Sequence, residues 1–396
     1  MVLPTALVFM GVLALLGTTA FVTSSTEMKI GNNHKISEQA FYVALAGGEE
    51  ARARLAGYAA NPVVDGSPSQ SGWRVYIGSL QEATDNGYNP SSSLHVRYDC
   101  LAADFGYTVQ IRHRSDAAGN LLYWGDNNGD GLFERNTVAG KNIYLVTSLS
   151  SVGGSNKSVE TEIAEIPPIT VPAALYVEAA TTIQGGSTYV IGVNSCGGPD
   201  KAGLVTTGGA GSVTVIGGVN ITGSGGSTPN ISYNGTDMDV GAIVGFFKRF
   251  KDFSYTVVSA THSAATVPGP GDSWGTPTLG ATLQDASSCA CSNIVNYDTS
   301  GTYVKLSGGV SGCGILLIEG DLEIAGNFSW YGPVIVTGSV VFSGGGNRNI
   351  TGAMIVGGSV VCDVSGGNSN IVYCSAAIED QTEDRPLQLL SWREDV

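Results

Sequence analysis

Apolar and polar positions fall into three regimes along the chain. From Met1 to about Val22 (MVLPTALVFMGVLALLGTTAFV) no residue is charged, and the first charge after it is Glu27. The apolar positions cover every side of a helix rather than one stripe, which water does not tolerate. At about 1.5 Å per residue, such a run is about as long as a bilayer's hydrocarbon core is thick. Beyond it, Glu27, Lys29, Lys35, Glu38, Glu49, Glu50, Arg52 and Arg54 alternate with Met28, Ile30, Ile36, Phe41 and Leu45. That amphipathic spacing predicts that the helix continues against something. One helix is therefore predicted over about 3–55. It should loosen at Gly31-Asn32-Asn33 and Gly47-Gly48, because interior glycines weaken helices. Gly11 and Gly17 suit a membrane-borne or closely packed helix.

The second regime follows a stretch rich in Gly, Pro, Asn and Ser over 57–70, read as the exit from the helix. Short runs of β-forming residues then predict strands at 73–77, 94–100, 107–113, 121–124, 142–149 and 158–166. Asp116 to Asn120 and Gly153-Gly154-Ser155-Asn156 supply turn chemistry between them. The pattern is that of a mostly antiparallel meander.

The third regime repeats. Residues 212–221 (SVTVIGGVNI) match 315–324 (ILLIEGDLEI), 333–342 (PVIVTGSVVF) and 353–362 (AMIVGGSVVC), the last three copies being 18 and 20 residues apart. Asn-Ile pairs recur at Asn230-Ile231, Asn349-Ile350 and Asn370-Ile371. A period near 20 with short apolar strands broken by glycine predicts a β-solenoid, each coil stacking on the last. The first copy must then reach the later ones across an insertion at about 235–303. That insertion holds an amphipathic helix near 238–250 and a Pro/Gly-rich loop at 267–275. Cys362 falls in the slot of Ile221, Ile324 and Phe342, which reads as a buried thiol. The tail, 379–396, reads as a cap on the open end of the coil.

Composition narrows the function. The chain has 396 residues, enough for two or three domains, and 56 glycines without a collagen-like period. Its net charge is −15 with only 19 Lys plus Arg, which argues against a nucleic-acid partner. The one basic cluster, Lys248-Arg249-Lys251, reads as a solvated helix face. Seven cysteines fit an oxidising compartment. No Cys-x-x-Cys pair is present and the four histidines are dispersed, so a zinc site is not expected, and neither is a c-type haem. Cys289, Cys291 and Cys313 flank the insertion and are the candidates for disulfides that pin it to the coil.

One local motif points to a metal. Asp126-Asn127-Asn128-Gly129-Asp130-Gly131-Leu132-Phe133-Glu134 places oxygen side chains at positions one, three and five, with Gly at six. This spacing curls alternate side chains around one hard cation, with the Leu132 carbonyl and Glu134 available to complete the shell. Calcium is the expected ion, held by Asp126, Asn128, Asp130, Leu132 and Glu134. Position twelve of an EF-hand loop would be Glu and is here Thr137, so the loop is a truncated variant; the alternative is an Asn/Asp-Gly turn without metal.

No Ser-His-Asp order, Cys-His pair or phosphate-binding loop is found, and no enzymatic activity is expected. Glu319, Asp321 and Glu323 alternate on one strand face. Their counterparts one coil on are Thr337, Ser339 and Val341, so they read as a solvated outer face rather than a catalytic row.

The first 55 residues carry a resemblance. The apolar run, then Thr26-Glu27-Met28-Lys29-Ile30-Gly31-Asn32, then Ala40 to Ala51 (AFYVALAGGEEA) resembles the N-terminal region of PilX-type pilins, within the type IV pilin superfamily. The resemblance implies a short leader removed by a prepilin peptidase, with Met1 as the mature, usually methylated, N-terminus. It implies an inner-membrane stage, then pilus assembly machinery building an extracellular pilus or fimbrium from copies of the chain or other pilins. Met1, Thr5, Gly11, Gly17 and Phe21 would lie on the assembly helix. Two departures stand out: Thr5 occupies the position where major pilins carry Glu, and Leu45 one where PilX-type relatives often do. Some PilX-type proteins also carry a glycine-rich, strand-repeating C-terminal region.

The expected fold is α+β, mainly β: a long N-terminal helix (1–55), a pilin-like antiparallel β head with the calcium-like loop (56–168), a C-terminal β-solenoid (169–378) with an insertion at about 235–303, and a capping tail (379–396). The expected function is a structural subunit of a type IV pilus-like filament. The alternatives are a minor tip pilin or adhesin, and a membrane-anchored carbohydrate-binding or carbohydrate-cleaving β-solenoid protein.

Overall fold

The computed structural model describes residues 2–58, 62–78, 105–185, 187–256, 274–278, 280, 282, 288–289, 292–364, 367–383 and 385–395. The strand expected at 94–100, Cys100, Cys291 and most of the loop 267–275 lie outside them. Helix α1 (Val2–Leu55) is followed by β1 (Arg74–Gly78), β2 (Phe105–His113), β3 (Tyr123–Gly125), β4 (Glu134–Asn136), β5 (Lys141–Val152) and β6 (Ser155–Ala164). Next come β7 (Ala173–Val177), β8 (Thr181–Gly185), β9 (Thr188–Ile191), β10 (Ala202–Thr206), β11 (Val213–Gly217), β12 (Asn220–Thr222) and β13 (Ile231–Ser232). Helix α2 (Val240–Phe247) precedes β14 (Phe253–Thr256), β15 (Asn293–Ser307), β16 (Val310–Ala325), β17 (Phe328–Val336) and β18 (Val340–Ser343). The chain ends with β19 (Gly346–Val356), β20 (Val360–Val364), β21 (Gly367–Tyr373), α3 (Ser375–Glu383) and β22 (Gln388–Asp395).

Two compact units result, one of residues 1–122, 142–164 and 387–396, the other of 123–141 and 165–386. In the first, β1, β2, β5, β6 and β22 pair in that order, every pair antiparallel. Period-two alternation turns Tyr107, Val109, Ile111, Val146 and Ile163 to one face, where they form a core with Ala51 of α1. Helix α1 is continuous through both glycine sites that were expected to loosen it. The reason at Gly47 is packing: a Cβ there would stand 2.4 Å from Ser148 Oγ and 2.8 Å from the Tyr107 ring, so glycine lets helix and sheet touch.

In the second unit β3 and β4 form an antiparallel hairpin, and the strands from β7 to β21 pair in parallel and form three columns. One runs through 310–313, 328–331, 348–351, 369–372, 188–191 and 220–222. The next runs through 316–318, 334–336, 354–356, 175–177, 204–206 and 231–232. The third runs through 322–325, 340–343, 360–364, 181–185 and 213–217. Inward residues such as Ile318, Val336, Phe342 and Met354 are wholly or almost wholly buried. Gly338 and Gly358 stack at a corner, where a Cβ on either would approach the backbone one coil away to 2.7 Å. Among the described residues the sheet system has 15 strands and stays open.

Several sequence expectations are corrected here. Residues 213–217 stand beside 181–185 in the third column, not in the column of 315–318 where the repeat alignment set them. Gly-Gly breaks occur at more than one corner, so that dipeptide does not fix which corner a copy turns. The second column is continued instead by 175–177 and 204–206, and the stack resumes inside the expected insertion, where β14 (253–256) pairs in parallel with β15, itself starting at Asn293, ten residues earlier than 303. The tail is not a cap: α3 packs beside Tyr331 and Cys374, while β22 adds to the edge of β6 through backbone pairing from Leu389↔Ile163 to Asp395↔Ser158.

Candidate assembly surface and acidic loop

The two halves of α1 differ in what covers them. Over the trailing half, Ala40, Ala44 and Ala51 are fully buried against the sheet. Ser150 Oγ donates to the Ala40 carbonyl at 2.6 Å, and the Tyr107 hydroxyl donates to Glu50. Glu50 also pairs with Arg54 at 2.7 Å. Over the leading half, Leu7, Phe9, Leu13, Leu16, Phe21 and Val22 are exposed, Leu13 to 54% and Phe21 to 76%. The hydroxyls of Thr18, Thr19 and Thr26 donate back to the carbonyls of Ala14, Leu15 and Val22 at 2.8–3.0 Å. These three hydroxyls therefore satisfy themselves within the helix, as an apolar surrounding requires. At Gly11 and Gly17 a Cβ would meet nothing within 4 Å, which leaves room for another helix to approach closely. Thr5 lies in the helix with its side chain outside the described residues, as does all of Met1.

The acidic loop joins β3 to β4, which pair antiparallel from Tyr123↔Asn136 to Gly125↔Glu134. Asp126 accepts from the amides of Gly129 and Gly131 at 2.7 and 2.9 Å. Asp130 accepts from the Leu132 amide at 2.8 Å, and the Asn128 amide group donates to Asp130 at 2.8 Å. The Asp130 carbonyl accepts from the amide of Asp239, the N-cap of α2, whose carboxylate caps Ala242 at 2.8 Å. Gly131 sits against Ile243 of α2 so closely that a Cβ would meet it at 2.3 Å, in a left-handed conformation (φ +82°). The hard oxygen donors at positions one, three and five are thus held in one turn, while Glu134 starts β4. Among the described residues no group of three or more His, Cys, Asp or Glu side chains converges. The donors gathered in the turn suit a hard cation in kind, with Asn128 and the Leu132 carbonyl counted among them.

Nearby, burial and the charges of Asp237 and Asp239 push the Glu178 carboxyl up to about 7. In the other unit, His113 is buried between the Gln70 carbonyl (2.7 Å) and Asp65 (2.8 Å) and stacks on Trp73. Burial pushes the Asp65 carboxyl up, but hydrogen bonds from Ser67, His113 and Asn142 outweigh it and hold the group below its ordinary value. This cluster clasps the segment after α1 to the sheet, and no local pattern in the chain points to it.

On the coil, Lys248 pairs with Glu319 at 2.8 Å and Lys305 with Glu323 at 2.7 Å, while Asp321 accepts from the Ser339 amide at 2.7 Å. The acidic row is therefore engaged in lateral ties between coils. Cys289 is bonded to Cys313, and Cys196 to Cys374. The second pair was not singled out from the sequence, because spacing carries no information on connectivity. The side chain of Cys362 lies outside the described residues; its backbone stands in register with Phe342 and Ile183.

No family model matches the chain, and no curated protein matches it. Among solved structures, the chain is similar to the competence-associated pilin ComZ from Thermus thermophilus, at 12% identity and a TM-score of 0.25, over 91% of this chain and 98% of that one.

Proposed function

We propose that this chain is a pilin-like subunit of an extracellular filament, related to PilX-type pilins, held in the inner membrane by α1 before assembly. The carrying observation is the division of α1: a trailing half docked on an antiparallel sheet and a leading half with apolar side chains exposed all round. Its length and composition suit a bilayer, and the same surface can be covered by like helices in a filament core. Burying a Leu, Val, Phe or Met side chain contributes about 1.5–3 kcal/mol, so a handful of such contacts per subunit suffices to hold a polymer. In this reading a prepilin peptidase and pilus machinery process and assemble the chain. The stacked columns form a solenoid-like body on the outside, and the loop 126–134 holds calcium, an assignment supported by its donor set. Thr5, in place of the carboxylate of major pilins, favours a minor or tip position over the main subunit.

Shearing surface fibres from cells that make the protein tests this. A main subunit dominates the mass of the sheared fibres, and a minor one is sparse but present. Complete retention with the membranes overturns the filament reading in favour of an anchored surface protein.

A further inference from the structure

The larger unit contains two blocks of parallel coils, β7–β13 and α2–β21, which meet along a seam. At the seam all three columns continue between segments about 180 residues apart in sequence: 354–356 beside 175–177, 361–364 beside 182–185, and 369–372 beside 188–191. The pairing is the same parallel backbone pairing found inside each block. The side chains that close it, among them Leu175, Val177, Met354 and Val356, are fully buried and apolar. Nothing in this chemistry requires the two blocks to belong to one molecule.

A single stretch of backbone, residues 233–239, leads from the first block to the second, and the Cys196–Cys374 bond can form only after the blocks have met. The stretch contains Asn234 in the left-handed region (φ 55°) and Gly235, whose amide is held by the Thr206 carbonyl at 2.9 Å. One connection is the topological condition for two copies to exchange halves. The order of the chain also favours exchange, because the seam edge of the first block exists well before residues 354–372 are available to cover it. During that interval the same segment of a neighbouring copy competes for the edge, and exchange of this kind is a known tendency of repeat folds.

We propose that the seam is an interface for a second copy of this chain, which docks its half from α2 onward, and that Cys196–Cys374 then locks the exchanged pair. Cys196 lies just after β9 and Cys374 just after β21, the two strands that meet across the seam. Cys374 is fully buried beside Ala377 of α3. A Cys196–Cys374 bond between two chains therefore requires β9 and β21 from different chains to be paired. The result is a covalent link between neighbours, and it holds whether or not the chain builds a filament.

The experiment mixes full-length chain in unlabelled and nitrogen-15-labelled forms, unfolds and reduces both, and refolds them in detergent under oxidising conditions at several concentrations. Peptides joined through Cys196 and Cys374 are then weighed. Exchange yields light–heavy hybrids whose share rises with concentration toward one half. Only light–light and heavy–heavy pairs at every concentration overturn the proposal. Where refolding gives no folded protein, two differently tagged chains, Cys196→Ser and Cys374→Ser, are co-expressed. A reductant-sensitive mixed dimer mapped to the remaining Cys196 and Cys374 supports exchange. No mixed dimer, or one joined through Cys100, Cys291 or Cys362, overturns it.

Discussion

The disulfide across the seam allows a quantitative prediction. In a chain that closes the seam on itself, Cys196 and Cys374 are 178 residues apart, and the chain-entropy relation for a loop of that length gives about 5 kcal/mol at 25 °C. The Cys289–Cys313 bond lies inside that loop and shortcuts 24 residues, which changes the logarithm too little to alter the figure. Losses on removing native disulfides run from about 2 to 5 kcal/mol, so the estimate stands at the upper end. The perturbation is Cys196→Ser with Cys374→Ala, which leaves neither partner as a lone thiol and places no hydroxyl at the fully buried position. Guanidinium unfolding is followed by tryptophan fluorescence, since Trp274 and Trp330 are buried in the stack. With a slope of roughly 4–5 kcal/mol per molar for a unit this size, the midpoint should fall by about 1 M. Reduced wild-type protein, which also loses Cys289–Cys313, should unfold at or below the midpoint of the variant. A midpoint unchanged on removing the pair would refute the reasoning, because it would mean that the bond does not restrain the unfolded chain across the seam.

Three further outcomes are expected. Gly47→Ala should destabilise the first unit by about 1–3 kcal/mol through its clash with Ser148 and Tyr107. Gly48→Ala, with open space around it, should be neutral or slightly stabilising; thermal melts of the two variants should therefore move in different directions. Glu178 has a folded value of about 7, raised above its unfolded value, so its contribution to stability is lost as pH rises through about 7. Glu178→Gln should raise Tm relative to wild type at pH 8 and not at pH 5, and an equal effect at both would exclude ionisation as the cause. If the loop 126–134 holds calcium, EDTA should lower Tm and excess calcium restore it; a melt indifferent to both removes the ion from the account.

What was legible in the sequence is what local pattern controls. The all-round apolar run and the amphipathic stretch after it set α1 nearly to its ends, and alternation located β1, β2, β5 and β6. Glycine misled twice, because it serves opposite ends. Gly47 looked like a weak point and is a close contact, and the break at Gly217-Gly218 looked like that at Gly357-Gly358 although the two turn different corners. The seam was out of reach. Leu175 and Met354 are ordinary apolar residues in ordinary strands, and nothing near either names the other as its neighbour. The partners of Cys196 and His113 were hidden for the same reason. The pairing of β22 with β6 was hidden by the composition of the tail, whose charges at both ends suited an exposed cap as well as an edge strand.

The central claim is that the leading half of α1 is covered by like helices once the chain leaves the membrane. A photo-reactive residue at Leu13, introduced into full-length chain in cells and activated in sheared surface fibres, tests it most directly. The account predicts crosslinks from Leu13 to the corresponding helix of another pilin subunit. Fibres that contain the chain but give no such crosslink, with Leu13 open to water-soluble reagents, would contradict it.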